Sequence, residues 1–371
     1  MNIFILNESF QLQHIIDSFY SFIWTDRYDE AGEFELSVAS TTANLSMLKR
    51  GYYLQIIESD HLMIIESISL DTDSDGDNTL KITGRSAESL LDRRIVWTQI
   101  TFAAGITIQS AIKTLITDAF LTTGDRYVSG FIFEENSDLA TTPVLVDDAS
   151  LGYGAQYLGD NIYNVVHDLC QENGLGFQIT LNDSNQLVMK LTNGVDHSYD
   201  NAGSNPYVVF SPKFENLLSS NYLESQTNYK TIALVGGEGE GTARVFASTT
   251  STLTGLNRKE VFVDASDISS SSTDANGNTI TIDSASYKQL LIQKGIDSLT
   301  DYTESTSFEG EADIYGSFTY GKDFTLGDII QLEDAYGHSD KCRVNELVVS
   351  YDTSDGYKVY PTFITITEDE E

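Results

Sequence analysis

Apolar and polar residues alternate with a period of two through most of the first 85 positions. The runs IFIL, QLQHIID, the alternation around Phe22 and Trp24, EFELSV, YYLQII and HLMIIESISL are of strand length and are separated by turn residues. That is the pattern of half-buried β-strands. GRSAESLLDRRIV then brings Ala87, Leu90, Leu91 and Arg94 to the spacing of a short helix. The period becomes helical in ITIQSAIKTLITDAF, where Ile108, Ala111, Ile112, Leu115, Ile116, Ala119 and Phe120 share one face. It recurs in GDNIYNVVHDLCQENG through Ile162, Val165, Val166, Leu169 and Cys170, with Asp160 as the expected N-cap and Gly174 as the stop. A helix with a single apolar face must lie on a sheet or on another helix. GFQITLNDSNQLVMKLT reads as a hairpin turning at Asn182 to Asn185.

From Tyr229 onward the strand pattern returns in YKTIALV, ARVFAS, KEVFVD, TESTSFEGEADIYGSF, GDIIQLE, RVNELVVSYD and YKVYPTFITI. One helix interrupts it, SASYKQLLIQKGIDSLTDY, despite Gly295, and the terminal EDEE is expected to be frayed. The fold class is therefore mainly β with an α+β middle region. We expect a first β domain over 1–96, a middle α+β domain over 97–205, and a second β domain over 206–371 with a helical insertion near 284–302. A chain of 371 residues suits two or three such domains.

Charge alters this picture most. Lys and Arg number 21 against 56 Asp and Glu, a net −35. So acidic a surface repels phosphate and argues against tight nucleic-acid binding by counterion release. With 20 Tyr and 18 Phe the chain is too aromatic to be an acidic disordered segment. No stretch is apolar for long enough to cross a membrane. The start, MNIFILNESF, has no basic region ahead of its apolar residues, so no secretory signal is expected and folding should occur in the cytosol of synthesis. Two cysteines are too few for a disulfide scaffold, and Cys170 and Cys342 are expected to be buried free thiols.

Candidate chemistry is sparse. In LDTDSDGDNTLKI, residues Asp71, Asp73, Asp75 and Gly76 have the spacing of a calcium loop. The twelfth position of that loop must supply a bidentate carboxylate, and here it is Ile82. Similar Asp, Asn, Ser and Gly clusters lie between strand-like runs in TDANGNTITI and DTSDGYKV. The hairpin reading is therefore preferred, with weak calcium binding at Asp71, Asp73 and Asp75 as the alternative. GGEGEG (236–241) lacks the Lys-Ser/Thr of a P-loop, and Glu238 and Glu240 would repel phosphate, so it reads as a connection between strands. There is no G-x-S-x-G, H-E-x-x-H or C-x-x-C. The histidines at 14, 61, 167, 197 and 338 show no ligand spacing, and His167 is expected on a solvated helix flank. The sequence makes no positive case for an enzyme, a cofactor or a metal.

A resemblance begins at WTDRYDEAGEFEL (24–36) and continues in GRSAESLLDRRIV (84–96), NIYNVVHDLCQENGLGFQI (161–179), VVFSPKFENLLSSNY (208–222), LNRKEVFVDA (256–265) and KDFTLGDIIQL (322–332). In this order the motifs resemble the tail-tip hub proteins of long non-contractile-tailed phages of Gram-positive bacteria, related to contractile-phage baseplate hubs and type VI secretion spikes. NGVDHSYDN (193–201) falls where such proteins carry a Gly-x-Asp-Arg-Thr-like turn, from which His197 and Ser198 depart. The resemblance implies two tail-tube-like β-barrels in one chain plus a smaller helix-containing domain. It also implies a homotrimeric ring that adapts a six-fold tail to a three-fold tip and forms or closes the DNA exit channel. Implied partners are the distal tail ring protein, the tape-measure protein and tail fibre or receptor-binding proteins, and the implied location is the virion tail tip. The motif residues are Trp24, Arg27, Tyr28, Gly32, Phe34, Gly84, Arg85, Arg94, Asn216, Arg258, Glu260, Gly327 and Asp328. Of these, Trp24, Tyr28 and Phe34 would fill the first barrel, Gly32, Gly84 and Gly327 would permit tight turns or strand entry, and the arginines would pair with carboxylates. Two alternatives stay open. One is a carbohydrate- or receptor-binding tail module. The other is a component of a tail-associated cell-wall lysin, whose lytic domain is expected on another polypeptide.

Overall fold

The computed structural model describes residues 1–72, 78–145, 155–273, 279–312, 316–354 and 356–366. It is mainly β, with 38% of residues in strands against 20% in helices. Contacts group the chain into two units, one of Met1–Asp147, Tyr153–Asn221 and Phe308–Glu371, the other of Asp148–Gly152 and Tyr222–Ser307.

In the first unit one ladder joins strands from the two ends of the sequence. Its order runs Gly356–Thr365, Ser339–Asp352, Ser21–Arg27, Glu33–Ala39, Asn78–Ser86, Met63–Thr72, Tyr53–Gln55, Ile3–Leu6 and Leu12–Ile16. The join is antiparallel, with Val349 opposite Trp24 and Glu346 opposite Arg27. The first and last β regions thus share a sheet within the first unit. The alternation seen in the sequence places Trp24, Phe22, Phe34, Leu36, Leu80 and Ile82 in one core of this sheet, because successive strand side chains face opposite sides.

The flanks of the acidic turn pair as a hairpin, Thr72 opposite Asn78 and Leu70 opposite Leu80; Asp73, Asp75 and Gly76 lie outside the described residues. Strands Ser271–Thr273 and Thr279–Thr281 also pair antiparallel, as do the flanks of the turn after Asp352.

The helical faces are as expected. Helix Ile108–Ile116 buries Ile108, Ala111, Ile112, Leu115 and Ile116, and helix Ile162–Gln171 buries Ile162, Val165, Val166, Leu169 and Cys170. They share a core with Phe177, Ile179 and Met189 of the hairpin Gly176–Leu181/Leu187–Thr192. The second helix is capped by Asn161, not Asp160: Asn161 accepts bonds from the N–H groups of Tyr163 and Asn164, while Asp160 accepts from Leu158. Both are good cap residues, and the local backbone decides between them. Gly174 supplies the stop with φ +62°. Both cysteines are free and buried.

The second unit is a three-stranded sheet, Phe246–Ser248, Ile232–Gly236 and Glu260–Asp264, with helix Ser284–Thr300. The helix buries Tyr287, Leu291 and Gly295, four residues apart, and a Cβ at Gly295 would come within 2.7 Å of Val235 Cγ2. Gly295 is therefore a contact surface, which is why a helix-weakening residue sits mid-helix.

Candidate functional site

Three of the motif residues of the first unit, Arg27, Tyr28 and Asp328, line one cleft of about 590 Å³, together with Asp26, His61, Gly194 and Tyr320 among others. Strand Ser21–Arg27 ends at its rim and delivers Tyr28. The Tyr28 ring lies between Gly176 and Gly327, and a Cβ on either glycine would fall inside the ring's van der Waals envelope. Its hydroxyl donates to the Thr192 carbonyl at 3.0 Å, and the Arg343 guanidinium lies 5.1 Å from the ring centre. Burial pushes the phenol up to about 12, so it is a neutral wedge. Tyr28 therefore belongs to this junction and not to the core that Trp24 and Phe34 fill.

Gly327 has φ +92°, and the other two motif glycines answer a different need. A Cβ on Gly32 would strike the Thr25 carbonyl, and one on Gly84 the Ile64 carbonyl. These two sit where strand backbones meet, not in turns of left-handed backbone.

Asp328 closes the cleft. Its Oδ1 accepts from the Val195 N–H at 2.6 Å, and its Oδ2 accepts from the Thr325 N–H at 2.6 Å. One buried carboxylate thus holds two loops together, the sort of charge-assisted bonding that fixes backbone position. His197, at the point of departure from the expected turn, brings Nε2 to 3.8 Å from Asp328 Oδ2. His197 also donates its backbone N–H to Ile329.

Asp26 and His61 of the cleft wall form, with Glu88 behind them, a buried trio that no sequence pattern singled out. Asp26, His61 and Glu88 are all at least 95% buried. His61 Nδ1 lies 3.2 Å from Glu88 Oε1, a close ion pair rather than an aligned hydrogen bond. Glu88 Oε1 accepts from the Ile179 N–H at 2.6 Å, and Asp26 accepts from the Trp24 indole at 2.7 Å. Burial alone would discharge the imidazole, yet Asp26 and Glu88 beside it hold His61 up at about 9. Burial acts against the Glu88 carboxylate too, but His61 and hydrogen bonds bring it below its usual range. Burial raises Asp26. Burial and neighbouring charge thus push the two carboxyls apart, Asp26 up and Glu88 down, around an imidazole that their negative charge keeps protonated. The available signal was Glu88 itself, an acid between Ala87 and Leu90 on the apolar side of a short helical run.

The arginines act as ties. Arg27 bonds Glu346 at 2.8 Å, Glu33 at 2.9 Å and the Ala31 carbonyl. Arg85 forks onto both oxygens of Glu66 at 3.0 Å and reaches Asp92. Arg258 meets Glu260 at 2.6 Å on the exposed surface of the second unit. Among the described residues Arg94 meets no carboxylate, and it lies 5.8 Å from the Phe120 ring centre. Asn216, away from the cleft, bonds the Ser211 N–H and the Val209 carbonyl, pinning the turn between them. His167 is no solvated edge: its Nδ1 meets the Asp29 carbonyl at 2.9 Å and its ring stacks on Tyr163. In the second unit, Glu238 of the glycine-rich loop accepts from the Ser270 N–H. Among the described residues no group of His, Cys, Asp or Glu could hold a metal ion, and no helix is long and apolar enough to cross a membrane.

The cleft is thus a place where four chain segments are locked together by carboxylates and a wedged tyrosine. The fold built around it is that of phage tail proteins. Solved structures that match along their whole length include a tail protein of Neisseria meningitidis (13% identity, TM-score 0.56, covering 98% of this chain and 96% of that one). They also include the 43 kDa tail protein of prophage MuSo2 from Shewanella oneidensis (12%, 0.55, 100% and 100%). A third is prophage tail protein gp18 of Listeria monocytogenes (14%, 0.51, 99% and 95%). The chain belongs to the siphovirus ReqiPepy6 Gp37-like protein family, whose model matches residues 2–363. No curated protein matches the sequence.

Proposed function

We propose that this protein is a structural component of a siphophage tail, the hub at its distal end. The observation that carries the reading is the whole-length likeness of fold to tail proteins of three bacteria, within a siphovirus family. The cleft supports a structural role, because its charged and aromatic groups are spent on one another and on backbone: Asp328 on two loops, Glu88 on His61 and Ile179, Tyr28 on Thr192. In this reading three chains form a ring that adapts the six-fold tail to a three-fold tip, bound by the distal tail ring protein above and a fibre or receptor-binding protein below. The tape-measure protein would close the channel before ejection. A trimer carries −105, three times −35, and a channel wall of that sign would keep exiting DNA from sticking.

Light scattering after size exclusion, with and without the distal tail ring protein, tests this. A mass of three times 41.0 kDa, alone or on the ring, is the expected result. A protein that stays monomeric in both conditions overturns the trimeric hub.

A further inference from the structure

A second pocket, away from the cleft, has the opposite electrostatic character. Its volume is about 560 Å³, and Arg93, Arg94, Arg126, Trp97, Asp118 and Asp125 are among its lining residues. Three of the chain's nine arginines meet here, in a protein with 56 acidic residues. Asp118 is already taken, its Oδ2 3.0 Å from Arg126. Among the described residues Arg93 and Arg94 pair with no carboxylate, and Arg94 Nε is buried without a hydrogen-bond partner. Trp97 is 70% exposed, whereas Trp24, the only other tryptophan, is fully buried. The wall is shaped by a widened turn at Thr117–Leu121, where the Thr122 N–H reaches back five residues to Thr117. Such insertions in helices recur at functional sites.

We propose that this pocket binds an anionic saccharide, a sugar unit carrying a phosphate or carboxylate. The exposed indole offers a flat apolar platform to the C–H face of a sugar ring. The unpaired guanidiniums offer planar donors matched to phosphate or carboxylate oxygens. The volume is that of a small-molecule site, and the surplus positive charge selects an anion in a chain that otherwise repels one.

Trp97 is its own reporter, since Trp24 is shielded. The full chain is titrated with glucose 1-phosphate, glucuronate, glucose and inorganic phosphate while tryptophan emission is followed. Saturable change is expected with at least one charged sugar, and which of the two binds more tightly distinguishes phosphate from carboxylate as the source. Neutral glucose should bind about 10-fold or more weakly, the effect of one lost charge-assisted hydrogen bond. Arg94→Gln should weaken the charged sugar by a similar factor with an unchanged melting temperature, and Trp97→Ala, read by calorimetry, should abolish binding. Equal binding of inorganic phosphate, equal binding of glucose, or no saturable change overturns the proposal. So does a change of oligomeric mass in Trp97→Ala, which would make the indole a protein contact instead.

Discussion

The two units solve the problem of holding strands together by different means. The first unit buries charged groups and backbone close approaches at its junctions: His61 against Glu88, Asp328 between two loops, Tyr28 between two glycines. The second has a small core of Ala233, Val235, Ala265, Tyr287 and Leu291. It leaves Leu234, Phe246 and Phe262 about half exposed on the other face of its sheet, with Arg244 stacked near both phenylalanines. One unit is locked by polar geometry, the other by a single helical row. Substitutions should therefore break them through different physics.

The largest effect is expected at Glu88. Glu88→Ala removes the carboxylate 3.2 Å from a buried imidazolium, leaving Asp26 alone to balance it, and should cost about 3–5 kcal/mol. Calorimetry should show the loss in the first unit's unfolding, with the second unit's transition in place. A shift of both together would mean that the units unfold as one. In the second unit, Leu291→Ala should cost about 2–5 kcal/mol, since Leu291 is fully buried in a core with few other large side chains. The same measurement should show the reverse pattern of losses.

Gly327→Ala sharpens the comparison at smaller cost. The new methyl would meet the Tyr28 ring on a backbone with φ +92°. Overpacking of this kind costs about 1–3 kcal/mol, and the strained backbone adds to it. Tyr28→Leu should restore part of the loss when combined with it. A double variant no better than Gly327→Ala alone would place the whole cost in the backbone.

What the sequence made legible follows from what is local. Helical faces at Ile108–Ile116 and Ile162–Gln171 are visible because residues three and four apart must share a side. The turn at Asn182 is visible because Asn bonds its own following backbone, as it does here to Ser184 and Gln186. The Arg27–Glu346 bond spans 319 positions, and no local pattern encodes which strand will lie beside Ser21–Arg27. The same is true of the trio, whose members come from three strand or helix ends. Asp26 between Thr25 and Arg27, and His61 after Asp60, gave no cue to burial, and Glu88, between Ala87 and Leu90, offered the one local signal. Tyr28 was assigned to the wrong core because aromatic content alone does not say which side of a junction a ring fills.

The pH dependence separates the units again. The His61 imidazole sits at about 9 when folded against an ordinary value of 6.5. Its stabilising contribution is present in full below 6.5, declines as pH rises, and is lost beyond about 9. Glu88 is lowered, so its contribution holds above the ordinary carboxylate range and is lost as pH falls through the folded value. Asp26 is raised and works in the opposite sense, costing stability once pH exceeds its ordinary range. The first unit's melting temperature should fall between pH 7 and pH 9 in the native protein. In His61→Gln that fall should flatten, the variant being less stable throughout. An unaltered slope would assign the titration to other groups.

The smallest expected effect tests whether the arginine ties are equivalent. Arg27 is about four-fifths buried in its side chain and bonds two carboxylates and a carbonyl, whereas Arg258 meets one exposed carboxylate. An exposed pair gains little from Coulomb attraction in water, so Arg258→Ala should change stability by no more than about 1 kcal/mol, and less at high salt. Arg27→Ala takes the guanidinium donor from the Ala31 carbonyl and leaves Glu346 with only the Thr362 hydroxyl, at the ladder that joins the two ends of the chain. Its loss should exceed that of Arg258→Ala and survive high salt, because partly buried pairs are screened less. If the two variants matched in stability but differed in the mass of the assembled protein, Arg258 would be acting between chains and Arg27 within one.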